Sequence, residues 1–115
     1  MESKITIEDF QKLELKVGGI LSCDPHPNAS KLLVLKVDLG EEEPRTIVAG
    51  LKAFYTPEDL IGKKAVFVAN LEPANLREIE SNGMILAASN EDHTKVIILT
   101  PKYEVEQGVK VEFRQ

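Results

Sequence analysis

Few side chains in this sequence stand at a spacing that supports catalysis. Cys23 and His26 lie three residues apart. A thiol and an imidazole so placed suggest a nucleophile with its base, or half of a metal site. Nucleophilic catalysis also needs an oxyanion hole and a group that orients the base, and no residue pattern nominates either. A zinc site needs three or four nitrogen or sulfur ligands, and the chain holds one cysteine and two histidines. His26 sits between Pro25 and Pro27, the setting of a turn residue. His93 lies in Asn90-Glu91-Asp92-His93-Thr94, a polar hairpin loop. Glu78 and Glu80 read as solvated acids. There is no phosphate-binding glycine loop and no nucleophile elbow. The expectation is a protein that is not an enzyme, with no metal and no cofactor.

Polar recognition is a different matter. Residues 70–84 run Asn70-Leu71-Glu72-Pro73-Ala74-Asn75-Leu76-Arg77-Glu78-Ile79-Glu80-Ser81-Asn82-Gly83-Met84. Asn, Arg and Ser in one connection suit hydrogen bonds to phosphate, ribose and base edges. The plain alternative is an ordinary polar loop.

The elements that must carry this segment follow from pattern and composition. The chain has 115 residues, 43% hydrophobic and 29% charged, ordinary values for a globular domain with one core. Aromatics make up 5%, with no Trp, which weakens any reading built on rows of stacking rings. Fourteen basic residues against nineteen acidic give a net charge of −5. A generic DNA-coating protein is not expected on that balance, because such proteins hold phosphate with excess Lys and Arg. The run Glu41-Glu42-Glu43 beside Gly40 and Pro44 reads as a solvated turn. A lone cysteine cannot form an internal disulfide, which favours a reducing compartment or indifference to redox state. The acidic start MESKITIEDF is no secretory signal, and apolar runs of about five residues fall far short of the ~20 that span a bilayer. A cytoplasmic, membrane-free protein is expected.

The dominant hydrophobic period is two. Leu13, Leu15 and Val17 alternate with Glu14, Lys16 and Gly18, and Leu33, Leu35 and Val37 face one way while Lys36 and Asp38 face the other, the mark of half-buried strands. Residues 46–50, 65–71 and 83–89 give three more, and 96–99 and 109–113 a C-terminal strand extension. Thr56-Pro57-Glu58-Asp59 supplies a cap, a first-turn proline and first-turn acids, so a short helix is expected between strands 3 and 4. Thr6-Ile7-Glu8-Asp9 is a weaker start of the same kind. Three strands, a helix and two strands is the order of the five-stranded oligonucleotide-binding (OB-fold) barrel. Gly18-Gly19 within the first strand supports a barrel, whose long strand must bend sharply. A β-sandwich is the alternative that pattern alone leaves open. One all-β domain over residues 1–115 is expected.

Five blocks in order carry a family resemblance: HPNASKLLVLKVDLGE (26–41), RTIVAGL (45–51), YTPEDLIGK (55–63), VFVANLEP (66–73) and ESNGMILAAS (80–89). Across residues 8–113 the chain resembles the tRNA-binding domain appended to many methionyl-tRNA synthetases. The same module occurs as free-standing homodimeric tRNA-binding proteins, and some relatives are described as secretion-linked chaperones. The resemblance implies an OB-fold barrel, a homodimer built with N-terminal and C-terminal segments, and tRNA gripped by shape and backbone. It also implies an aminoacyl-tRNA synthetase as a partner. On the matched positions it implies phosphate contacts from Lys31, Lys52 and Arg77. Asn70 and Ser81 would bond sugar or base, Gly83 would allow close backbone approach, and Met84 would lie against a base. The alternatives are that Asn70 braces its own loop and that Met84 belongs to the barrel core.

The departures from the family pattern are charged. Where relatives carry basic residues around the loop proline, this chain has Glu72, Ala74 and Asn75. The glycine after the arginine is Glu78, and the glutamine of the SQGM-type block is Asn82. Each acid facing phosphate costs roughly 1 kcal/mol, so tRNA binding weaker than in a typical relative is expected.

Overall fold

The computed structural model describes residues 3–114. Helix α1 (Ile7–Gln11) is short because it has one good cap and little else. Thr6 Oγ1 accepts the Asp9 N–H at 3.1 Å, and Glu8 and Asp9 occupy the positive N-terminal turn. Strand β1 (Leu15–Pro25) follows, then β2 (Leu33–Asp38), β3 (Arg45–Ala49), helix α2 (Pro57–Leu60) and β4 (Lys64–Val68). Thr56 and Asp59 close a full capping box on α2, as the Thr-Pro-Glu-Asp signal requires.

β1 serves two partners. Leu15–Gly19 pair with Val68–Lys64 of β4, and Gly19–Pro25 with Asp38–Leu33 of β2, with a register shift between Ile20 and Ser22. The change of partner falls at Gly18-Gly19, where a bend is expected. Gly18 is packed tightly: a Cβ there would stand 2.7 Å from side-chain carbons of both Phe67 and Val37. β2 also pairs with β3. β7 (Met84–Ile85) pairs with β4, giving the order β3-β2-β1-β4-β7. The two ends of this sheet meet. The Asn82 N–H donates to the Thr46 carbonyl at 2.8 Å, and Ser81 Oγ accepts the Val48 N–H at 2.9 Å. The result is an all-β, nearly closed barrel of OB-fold type with a short helix between strands 3 and 4. Ile20, Leu33, Leu35, Ile47, Leu60 and Phe67 fill it, each at most 1% exposed.

Three expectations change. The connection 70–84 is not a plain loop: it holds a hairpin of β5 (Ala74–Leu76) and β6 (Ile79–Ser81). The strand expected at 83–89 is two pieces, β7 and β8 (Ala87–Ser89), because the chain changes neighbours at Leu86. The Leu86 N–H donates to Val66, while its carbonyl accepts the Leu99 N–H. The C-terminal extension is present but short: β9 (Val96–Ile98) pairs with β8, and β10 (Lys110–Val111) lies along Leu15 and Lys16 of β1. Phe113 closes on Phe10 edge-to-face at 5.8 Å, tying the C-terminal segment to α1. No helix among the described residues is long and apolar enough to cross a membrane.

Candidate nucleic-acid interface

The β5–β6 hairpin turns through only two residues, Arg77 and Glu78, with φ of 54° and 76°. Positive φ at both central positions is the signature of a type I′ turn, which normally takes Asn or Gly. Arg77 and Glu78 therefore hold a conformation disfavoured for side chains beyond glycine. Asn75 supports them: its Oδ1 accepts the Glu78 N–H at 2.9 Å. The turn projects the Arg77 side chain from an exposed tip.

Three cationic candidates gather on segments tied to one another. The Lys52 N–H donates to the Lys31 carbonyl at 3.4 Å, so the stretch after β3 lies beside the β1–β2 loop. Both lysines are exposed. The β1–β2 loop in turn reaches the hairpin tip through His26, whose ring contacts Leu76 and Asn28. Arg77, Glu78 and Asn28 line a cleft of about 340 Å³ between the two.

The remaining candidates have structural partners. Asn70 Oδ1 accepts the Glu14 N–H at 2.8 Å, and its Nδ2 donates to the Lys12 carbonyl at 2.7 Å. The exposed side chain thus clamps the link between α1 and β1. Ser81, expected to bond sugar or base, is 4% exposed; its hydroxyl takes the Val48 N–H and donates to the Gly83 carbonyl. Both of its hydrogen-bonding roles serve barrel closure, because a buried hydroxyl must find internal partners. Gly83 has φ of 134°, and a Cβ there would stand 3.0 Å from Ile47 Cδ1 and 3.1 Å from the Val68 carbonyl. Its close approach is to the barrel wall. Met84 is 51% exposed on β7, so its side chain is not core.

The flank of the hairpin is acidic. An open groove of about 880 Å³ is lined by Glu41, Glu42, Glu43, Glu78 and Glu80, with Arg45 among them. Arg45 is already committed. It forms a two-point ion pair with Glu41, at 2.9 and 2.6 Å, and donates to the carbonyls of Ala69 and Asn82. The hydrogen bond from Arg45 holds the Glu41 carboxyl below its ordinary range. Burial, then Asp24 and Glu58, pushes the Cys23 thiol up, so this buried sulfur is a poor nucleophile.

Sequence reasoning missed two residues that organise this surface, His26 and Arg45. Beside their near partners Asn28 and Glu41, the bonds that organise this surface run to residues 50 and 24 to 37 positions away. No local pattern encodes such bonds.

Comparison with known proteins places this architecture. The family described as "Putative tRNA binding domain" matches residues 15–110. The methionine–tRNA ligase of Pyrococcus horikoshii is 53% identical over 107 residues, which cover 93% of this chain and 14% of that protein. The chain thus spans about one-seventh of that relative's length. Among solved structures, a MetRS-related protein from Pyrococcus horikoshii superposes with a TM-score of 0.90 at 37% identity, covering 96% of this chain and all of the other. The chaperone CsaA from Bacillus anthracis gives 0.85 at 29% identity, with 96% and 100% covered. The chain belongs to the tRNA-binding domain family that it shares with these methionyl-tRNA synthetase relatives.

Proposed function

We propose that this chain is a non-catalytic module that holds tRNA by shape and backbone, as a homodimer, in the service of a methionyl-tRNA synthetase. The observation that carries the reading is the corner where Lys31, Lys52 and Arg77 sit on mutually bonded segments at one rim of the barrel. Three exposed cations there suit phosphates spaced along a folded strand, and Arg77 can engage two oxygens at once. Met84, exposed beside this rim's hairpin strand, offers a polarizable surface to a base. The reducing cytoplasm is the proposed compartment.

The dimer would be formed by a second copy covering apolar side chains left open by the C-terminal segment. Ile97 is 56% exposed, and Leu99 and Phe113 are also open. Light scattering across a concentration series tests it: a mass of one chain throughout overturns the dimer without touching the tRNA reading.

Filter binding with unmodified bulk tRNA at two salt concentrations tests the main proposal. Saturable binding that weakens with salt is expected. No binding at roughly 100 µM protein, the weak end of non-specific association, with the fold intact, overturns it. The five-glutamate groove favours a second reading, recruitment of a protein partner by the same fold. That reading gains only if tRNA binding fails.

A further inference from the structure

His26 is 5% exposed, although Pro25, Pro27 and Asn28 around it are open to solvent. Burial of an imidazole is tolerated when both ring nitrogens are partnered. Nδ1 lies 2.9 Å from the Asn28 N–H, and Nε2 lies 2.9 Å from the Leu76 carbonyl. A backbone N–H can only donate, so Nδ1 is the acceptor. The hydrogen then sits on Nε2, which donates to Leu76. The partners fix the neutral tautomer.

Leu76 ends β5 and directly precedes Arg77. The bond therefore joins the β1–β2 loop to the tip of the hairpin. Ser81, Asn82 and Arg45 hold the hairpin at its opposite end, against β3 and Ala69. Without the His26 bond the hairpin would extend from its base alone, with two strained residues at the free end. From this geometry we infer that His26 is a positioning residue for nucleic-acid binding: through Leu76 it holds Arg77 over the cleft shared with Asn28. A guanidinium fixed before the ligand arrives loses less freedom on binding. The inference rests on the tRNA reading above, and it adds the device that sets one phosphate contact in place.

Two substitutions in the whole chain separate the two nitrogens. The amide nitrogen of Gln reaches about as far as Nε2, so His26→Gln can keep the bond to Leu76. The side-chain oxygen of Asn reaches about as far as Nδ1 and can accept the Asn28 N–H in an ordinary Asx-turn, so His26→Asn keeps the loop and drops the bridge. Anisotropy titration with bulk tRNA at low salt should show His26→Asn weakened roughly tenfold, the order expected for one lost hydrogen bond. His26→Gln should recover most of that loss. Hydrogen exchange of the amides around Leu76–Ile79 should quicken in His26→Asn and not in His26→Gln. In an Arg77→Ala background, His26→Asn should cost no further affinity, since its effect runs through that arginine. Equal affinities for the two His26 variants, or additive losses in the Arg77→Ala background, would overturn the inference. A wild-type chain that binds no tRNA would instead fell the parent reading, and this one with it, while the exchange data would still report whether the bridge forms.

Discussion

Glu78 is the residue where charge and backbone strain coincide. It occupies a φ of 76°, a backbone conformation that favours glycine, and it faces the acidic groove. Glu78→Gly should raise stability by about 1 kcal/mol, the scale of the left-handed penalty for a side chain. The readout is a higher urea midpoint at unchanged slope. The same change removes an acid beside Arg77, so tRNA affinity should rise with it. Ser81 is the opposite case. Ser81→Ala leaves the Val48 N–H facing an apolar methyl inside the barrel, and should cost about 1–3 kcal/mol in the same assay. The sequence exposes the departure at Glu78 as a missing glycine, because glycine marks positive φ. It does not expose the burial of Ser81, since a serine in a polar stretch looks alike whether it faces water or a barrel wall.

Among the elements, the hairpin base depends on an ion pair. Arg45 links Glu41 to the carbonyls of Ala69 and Asn82. Glu41 stays ionised in the folded chain to lower pH than in the unfolded one, so as pH falls the unfolded chain binds this proton first. The stability from this pair is complete above about 4.5, the ordinary value for a glutamate, and is lost as pH falls below it. Glu41→Gln should therefore lower stability at neutral pH and flatten its decline on the acid side, read from denaturation midpoints between neutral and acid buffers. The long strands were legible because β2 and β4 repeat apolar residues with period two or bury them outright. α2 was legible from its cap. The β5–β6 hairpin was not, because β5 is wholly exposed and so has no buried face to set a period. Its turn also lacks the Asn-Gly or Asp-Gly pair that announces type I′. The length of β1 was hidden too: an eleven-residue strand that changes partner midway alternates only in pieces.

At the scale of the whole molecule, the net charge of −5 opposes a polyanion, while one corner attracts it. Glu72 and Ala74 are exposed and Ala74 pairs with Ser81 through its backbone alone, so Glu72→Lys with Ala74→Lys changes charge without removing a side-chain hydrogen bond of the hairpin. The double variant should bind tRNA more tightly, and the slope of log K against log salt should steepen by about 0.7–0.9 per phosphate gained. An unchanged slope would mean that phosphate does not pass this side of the hairpin. The two-way pairing of β1 with β2 and β4, joined by β10 along Leu15 and Lys16, reaches back to how the protein is made. As the chain leaves the ribosome, Leu15–Gly19 emerges on the order of seconds before its β4 partner. Until then its backbone is an open edge. The barrel wall cannot close before β4 is made, although β1, β2 and β3 can already pair. Heat or denaturant is therefore expected to remove the wall as a unit, which coincident transitions by circular dichroism and by intrinsic tyrosine fluorescence would show.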